Sequence, residues 1–91
     1  MIDVVKKSKK IGKLKTGDKV YFNGKKMIVD KQYLFQEHDK MNEWIIEVYN
    51  PENEKEYQIR YFDDQVDSSL EVYFLEEDFQ YLRKDPKTIA W

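Results

Sequence analysis

The chain has 91 residues, enough for one small domain, and a formal net charge of −2. Charged residues make up 37%, as in many disordered chains, but 15% are aromatic, and such side chains supply the burial that offsets chain entropy, so a folded domain is expected. The absence of cysteine excludes disulfide scaffolds, thiolate metal sites and cysteine nucleophiles.

Residues 1–13 form a Lys-rich leader, Lys6-Lys7-Ser8-Lys9-Lys10-Ile11-Gly12-Lys13, read as a mobile arm or an edge segment, with the β-rich domain running over 14–91. Thr16-Gly17-Asp18 signals a turn before a strand, Lys19-Val20-Tyr21-Phe22. Asn23-Gly24 then marks a hairpin, because both residues tolerate the positive φ of a type I′ turn. The returning strand, about 25–36, places Met27, Val29, Tyr33 and Phe35 on one face, with Lys31 breaking the row at a bulge or at the strand's exit from the sheet.

After a polar loop over 37–42, Trp44, Ile46 and Val48 share a face of the next strand. Asn50-Pro51-Glu52-Asn53 turns the chain, and Tyr57, Ile59 and Tyr61 alternate on the way back. A strand over Ser69 to Leu75 follows. Leu75, Phe79 and Leu82 then fall at helical spacing, with Glu76, Glu77 and Asp78 early and Arg83 and Lys84 late, an order that complements a helix dipole and predicts one short C-terminal helix ended by Asp85-Pro86. The tail 87–91 is expected to add a short strand, and Trp91, too costly to leave in water, either to dock or to contact a partner. The fold class expected is mainly β: a five- to six-stranded antiparallel meander forming a small curled sheet or partly open barrel.

Enzymatic chemistry finds little support in the residues. His38 is the lone histidine and sits in a polar loop; Asp63, Asp64 and Asp67 cluster without the Gly and the bidentate Glu of a calcium loop; Gly12, Gly17 and Gly24 match no nucleotide loop. No catalytic residue, metal site or cofactor is expected. No apolar run approaches the roughly 18 residues of a membrane span, and Met1–Lys7 lacks the pattern of a secretory signal. A cytoplasmic setting, bacterial or phage, is expected.

Binding is the better prospect. Residues 1–31 carry a charge of +7 and residues 32–91 a charge of −9. Such a division reads as a basic arm beside an acidic face, or as oppositely charged strands that cancel across one sheet. Seven tyrosines exceed the needs of a small core, and tyrosine is enriched at recognition surfaces. The leading expectation is a partner-protein site built from Tyr57, Tyr61, Tyr73, Glu71, Glu76 and Glu77, as in an inhibitor or adaptor that acts on a basic surface. The alternative is a nucleic-acid-binding module led by Lys6, Lys7, Lys9 and Lys10. A small sheet with open edges is also able to dimerise.

The run Leu14-Lys15-Thr16-Gly17-Asp18-Lys19-Val20-Tyr21-Phe22-Asn23-Gly24-Lys25-Lys26-Met27-Ile28-Val29 resembles the opening of domain-of-unknown-function family 4178, with its Gly-Asp pair, short strand, Asn-Gly-like turn and strand ending in Val. Asn42-Glu43-Trp44-Ile45-Ile46 is similar to its Trp-containing strand, and Tyr57-Gln58-Ile59 stands where a second aromatic strand is expected. The resemblance covers about residues 14–75. Gly17-Asp18-Lys19-Val20 is also similar to the opening of SH3-like and Tudor-like barrels. The family implies a small β-rich domain and supplies no catalytic residues.

Overall fold

A computed structural model describes residues 1–77 and 79–91. The chain is mainly β, with strands β1 (Asp3–Lys6), β2 (Lys19–Phe22), β3 (Lys25–Glu37), β4 (Asn42–Tyr49), β5 (Glu56–Phe62), β6 (Glu71–Leu75), β7 (Tyr81–Arg83) and β8 (Thr88–Ala90). A 3-10 turn, Ile11–Lys13, and a four-residue helix α1, Val66–Ser69, complete it. One curled sheet, a half-barrel, holds all eight strands in the order β1-β8-β2-β3-β4-β5-β6-β7. The expected count of five or six strands is exceeded by β1 and β7. The meander is also not pure, because β8 inserts between β1 and β2 and runs parallel to β1.

Local chemistry sets the central hairpins. Asn23 and Gly24 adopt φ of 51° and 81°, as a type I′ turn demands, and β2 pairs with β3 through Phe22 and Lys25. The Asn23 side chain has a second use: its Oδ1 accepts from the backbone N–H groups of Lys87 (2.9 Å) and Thr88 (3.1 Å), which anchors the start of β8. The turn after β4 is held by Asn50, whose Oδ1 accepts from the N–H of Glu52 at 2.9 Å.

The inner face carries the core. Val20, Val29, Ile46, Val48, Ile59, Val72 and Ile89 are fully buried there, each worth roughly 1.5–3 kcal/mol on transfer from water. Ile2 and Ile11 join the cluster, so it takes in residues ahead of Leu14. Trp91 docks at 5% exposure, with its indole Nε1 donating to the Lys9 carbonyl at 2.7 Å.

Two readings of the sequence are corrected. Met27, Val29, Tyr33 and Phe35 do not share a face. Opposite β4 the register passes from Val29↔Val48 to Lys31↔Glu47, leaving Asp30 as an extra residue. This bulge turns Gln32, opposite Ile46, to the inner face and sends Tyr33 and Phe35 outward. The Asp30 carbonyl accepts from Thr16 Oγ1 at 2.7 Å.

The second correction concerns the C-terminal helix, of which Asp78 lies outside the described residues. In its place β6 runs to Leu75 and β7 pairs back through Leu75↔Tyr81, Phe74↔Leu82 and Tyr73↔Arg83. Phe79 has φ 66°, a left-handed value that no right-handed helix contains. A helix so short is marginal on its own, while pairing along β6 satisfies backbone groups of an otherwise open sheet edge. No helix among the described residues is long and apolar enough to cross a membrane.

Candidate functional site

The sheet divides the six residues expected to form a partner-protein surface. Along β5, Tyr57 and Tyr61 point inward with Ile59, while Gln58 and Arg60 point outward. Tyr57 is half-buried, its ring edge-on to Phe22 at 5.5 Å and tilted on Phe74 at 5.2 Å. Tyr61 is 2% exposed and donates its hydroxyl to Gln32 Oε1; burial first, then the nearby Asp63 carboxylate, pushes its pKa up to about 12.

Tyr73 lies on the outer face, opposite Gln58, and donates to Glu71 Oε1 at 3.0 Å. Glu71 is engaged again by Arg83 Nη1 at 2.7 Å. These three tyrosines therefore form no single surface. Glu76 and Glu77 stand apart from all of them, exposed in the turn between β6 and β7.

That turn has a feature the sequence reading missed. The N–H of Glu76 donates to the Gln80 carbonyl at 2.9 Å and the N–H of Gln80 to the Glu77 carbonyl at 2.8 Å, a tight closure that carries Phe79 outward. Phe79 is 92% exposed. Beside it a depression is shared with the turn after β4 and the start of β5, where Glu54 and Glu56 line it with Glu76 and Glu77, and Lys55 is the one cation among the described residues of its lining. None of these four glutamates forms an ion pair among the described residues. Phe79 escaped sequence reading because its spacing from Leu75 and Leu82 matches a buried helix face; its place beside three successive acids was the available signal.

At the other end of the β4–β5 hairpin the charge reverses. Lys7, Lys9, Lys10 and Lys13 line a cleft of about 560 Å³ whose lining also includes Trp44, Tyr61 and Trp91. Lys6 lies outside it, on a smaller neighbouring depression with Lys19 and Tyr21. Two cleft lysines are paired, Lys7 with Asp67 at 2.8 Å and Lys9 with Asp18 at 2.9 Å, whereas Lys10 and Lys13 have no ion pair among the described residues. Asp63 fixes the Trp44 ring: its Oδ1 accepts from the Asn42 N–H at 3.0 Å and its Oδ2 from Trp44 Nε1 at 3.2 Å. These bonds, the backbone one first, hold the Asp63 carboxyl below its ordinary range.

Gln32 closes the same end by donating Nε2 to the carbonyls of Ile11 (3.2 Å) and Leu14 (2.9 Å), which holds the 3-10 turn over Tyr61. Of the three ion pairs made by lysines of the basic stretch 1–31 among the described residues, two, Lys7–Asp67 and Lys31–Glu47, join it to the acidic remainder. His38 sits near Glu43, its Nε2 3.8 Å from the carboxylate, and against the Phe62 ring. Asp63 and Asp67 are divided between Trp44 and Lys7.

In comparisons with known proteins, no family model, no curated protein and no solved structure matches the chain.

Proposed function

We propose that this chain is a non-enzymatic binding module that docks a basic surface of a partner protein with its acidic end, using Phe79 as an apolar anchor. The observation that carries this reading is Phe79 itself, standing in solvent at a left-handed φ beside Glu54, Glu56, Glu76 and Glu77. A phenylalanine in that conformation costs the folded chain about 1–2 kcal/mol, and an exposed ring returns nothing. Four like charges around it add repulsion. A partner with a cationic rim and an apolar pocket reverses both penalties on binding, which is how a buried aromatic anchor with a charged surround acts at interfaces. Of the residues expected from sequence, Glu76 and Glu77 belong to this surface, while Tyr57 and Tyr61 support it only as core.

The test is capture by the wild-type chain, by Phe79→Ala and by Glu76→Lys/Glu77→Lys. A protein retained by the wild type and lost with both variants is purified and titrated. At least tenfold weaker binding for each variant, and an affinity that falls with salt, is the expected result. Equal capture by both variants overturns the proposal. Unfolding midpoints of the two variants equal to wild type keep the result free of folding effects.

A further inference from the structure

We infer that the cleft at the opposite end of the β4–β5 hairpin is a binding site for a nucleotide unit, an aromatic base carrying a phosphate. Three features of the cleft lead there together. Its volume of about 560 Å³ is in the range of small-ligand sites and suits one ring system with an attached anion. Its lining combines the rings of Trp44, Tyr61 and Trp91, and both indole N–H groups are already spent, on Asp63 and on the Lys9 carbonyl. What the indoles offer a ligand is therefore π surface and not hydrogen bonds. Trp44, half-buried, keeps ring area open, while Tyr61 and Trp91 are almost wholly enclosed.

The rim supplies the third feature. Four lysines and two aspartates, Asp63 and Asp67, line the cleft. Asp63 is spent on Asn42 and Trp44, Lys7 pairs with Asp67 and Lys9 with Asp18 outside the lining. Lys10 and Lys13, without an ion pair among the described residues, are left to meet an anion. This excess of positive charge occurs in a chain whose net charge is negative, so it is a local concentration and not a general property of the surface. A bare anion satisfies the lysines and leaves the aromatic floor idle. An uncharged aromatic does the reverse. A nucleotide uses both, by base–aromatic stacking and phosphate–lysine attraction. The site is distinct from the acidic tip, and either can fail without the other.

The experiment is an NMR titration of the labelled full chain, read at the indole N–H of Trp44 and Trp91 and the amide of Gly12. Its arms are adenosine monophosphate, adenosine, inorganic phosphate, a six-residue oligothymidylate and a glutamate hexapeptide. Adenosine monophosphate or the oligothymidylate is expected to shift all three signals, and adenosine and phosphate to bind at least tenfold more weakly. Response to the oligomer alone identifies the source as a single-stranded nucleic acid; response to both identifies the free nucleotide as sufficient. Lys10→Glu/Lys13→Glu, with both changes on the exposed rim, is expected to weaken binding at least tenfold. Trp44→Ala is expected to weaken it about 5- to 150-fold, the span of stacking losses on alanine substitution. No shift with either nucleotide probe, or equal binding of phosphate or the acidic peptide, overturns the inference. The lysine variant keeps it testable if Trp44→Ala fails to fold.

Discussion

The guanidinium carbon of Arg60 lies 4.0 Å from the centre of the Tyr73 ring. It is held there by Gln58, whose Oε1 accepts from Arg60 Nε at 3.2 Å and Nη2 at 2.9 Å, and Phe35 stands on another side with its ring centre at 5.5 Å. Beneath this layer is Ile45, 1% exposed although it lies outside the core cluster on the inner face. Its cross-strand neighbours are Tyr33 and Arg60. The outer face thus has a small second core, roofed by the flat parts of long polar side chains.

Arg60→Ala is expected to destabilise the protein by about 1–2 kcal/mol, through the lost cation–π contact and the opening of Ile45 to water. Arg60→Lys recovers less than half of this, because an ammonium neither stacks flat on Tyr73 nor makes two bonds to Gln58. Urea unfolding of the three proteins checks it; equal stability of the Lys variant and the wild type contradicts the stacked geometry.

Asn23 combines a backbone role with a side-chain role, and two substitutions separate them. Asn23→Gly keeps the left-handed turn and loses the two bonds that anchor β8, for an expected cost of about 1–2 kcal/mol. Asn23→Ala loses both and is expected to cost about 1 kcal/mol more. Hydrogen exchange adds a local readout: in both variants the amides of Lys87 and Thr88 should exchange faster than in the wild type.

Asp85 sets an acid dependence. Its Oδ1 accepts from the Val72 N–H at 2.9 Å, and Arg83 donates to both of its oxygens, Nε to Oδ1 at 3.0 Å and Nη2 to Oδ2 at 2.8 Å. Burial works to raise its pKa, but the Arg83 and Val72 bonds outweigh it and hold the carboxyl below its ordinary 3.8. The folded chain therefore releases this proton more readily than the unfolded chain. Its contribution to stability is present above the ordinary carboxylate range and disappears as pH falls through the depressed value. Urea midpoints measured from about pH 6 down to about pH 2 should fall less steeply for Asp85→Asn than for the wild type.

Phe79→Ala is expected to leave stability within about 0.5 kcal/mol of wild type, since the ring is exposed and packs on little. Phe79→Gly relieves the left-handed strain and, after the greater entropy of a glycine chain is deducted, should stabilise by up to about 1 kcal/mol. Thermal unfolding distinguishes these outcomes from a loss of several degrees, which would mean that the ring is part of the core.

Much of the sheet is legible in the sequence where one residue's preference and its neighbours' pattern agree. Asn23-Gly24 specifies its turn, and Trp44, Ile46 and Val48 specify an inward face, because period-2 alternation and turn chemistry are both local. The bulge at Asp30 is less legible: Lys31 marks the place, but the sequence does not say that the side chains from Lys31 to Leu34 change face, nor that a second irregularity between Leu34 and Gln36 shifts the register again. The segment 75–82 fits a helical period as well as a hairpin, and the choice depends on the edge of β6, which no local pattern contains. Of the candidate sites, the Lys-rich stretch is visible at once, but its aromatic floor is not. Trp44, Tyr61 and Trp91 come from three separated parts of the chain and meet only when the sheet curls.

The parallel pairing of β1 with β8 has a consequence for the order of folding. Strands β2 to β7 each pair with their sequence neighbours and need only short loops to close. The first and last strands meet across nearly the whole chain, and such long-range closure is the slow part of assembly. The cleft, bordered by the residues after β1 and by Trp91 after β8, draws its lining from both ends of the chain, so its completion is expected to wait for that closure. A ligand seated in it acts as a clasp on the final closure: it slows the opening of the β1–β8 seam while leaving the central hairpins to exchange as before.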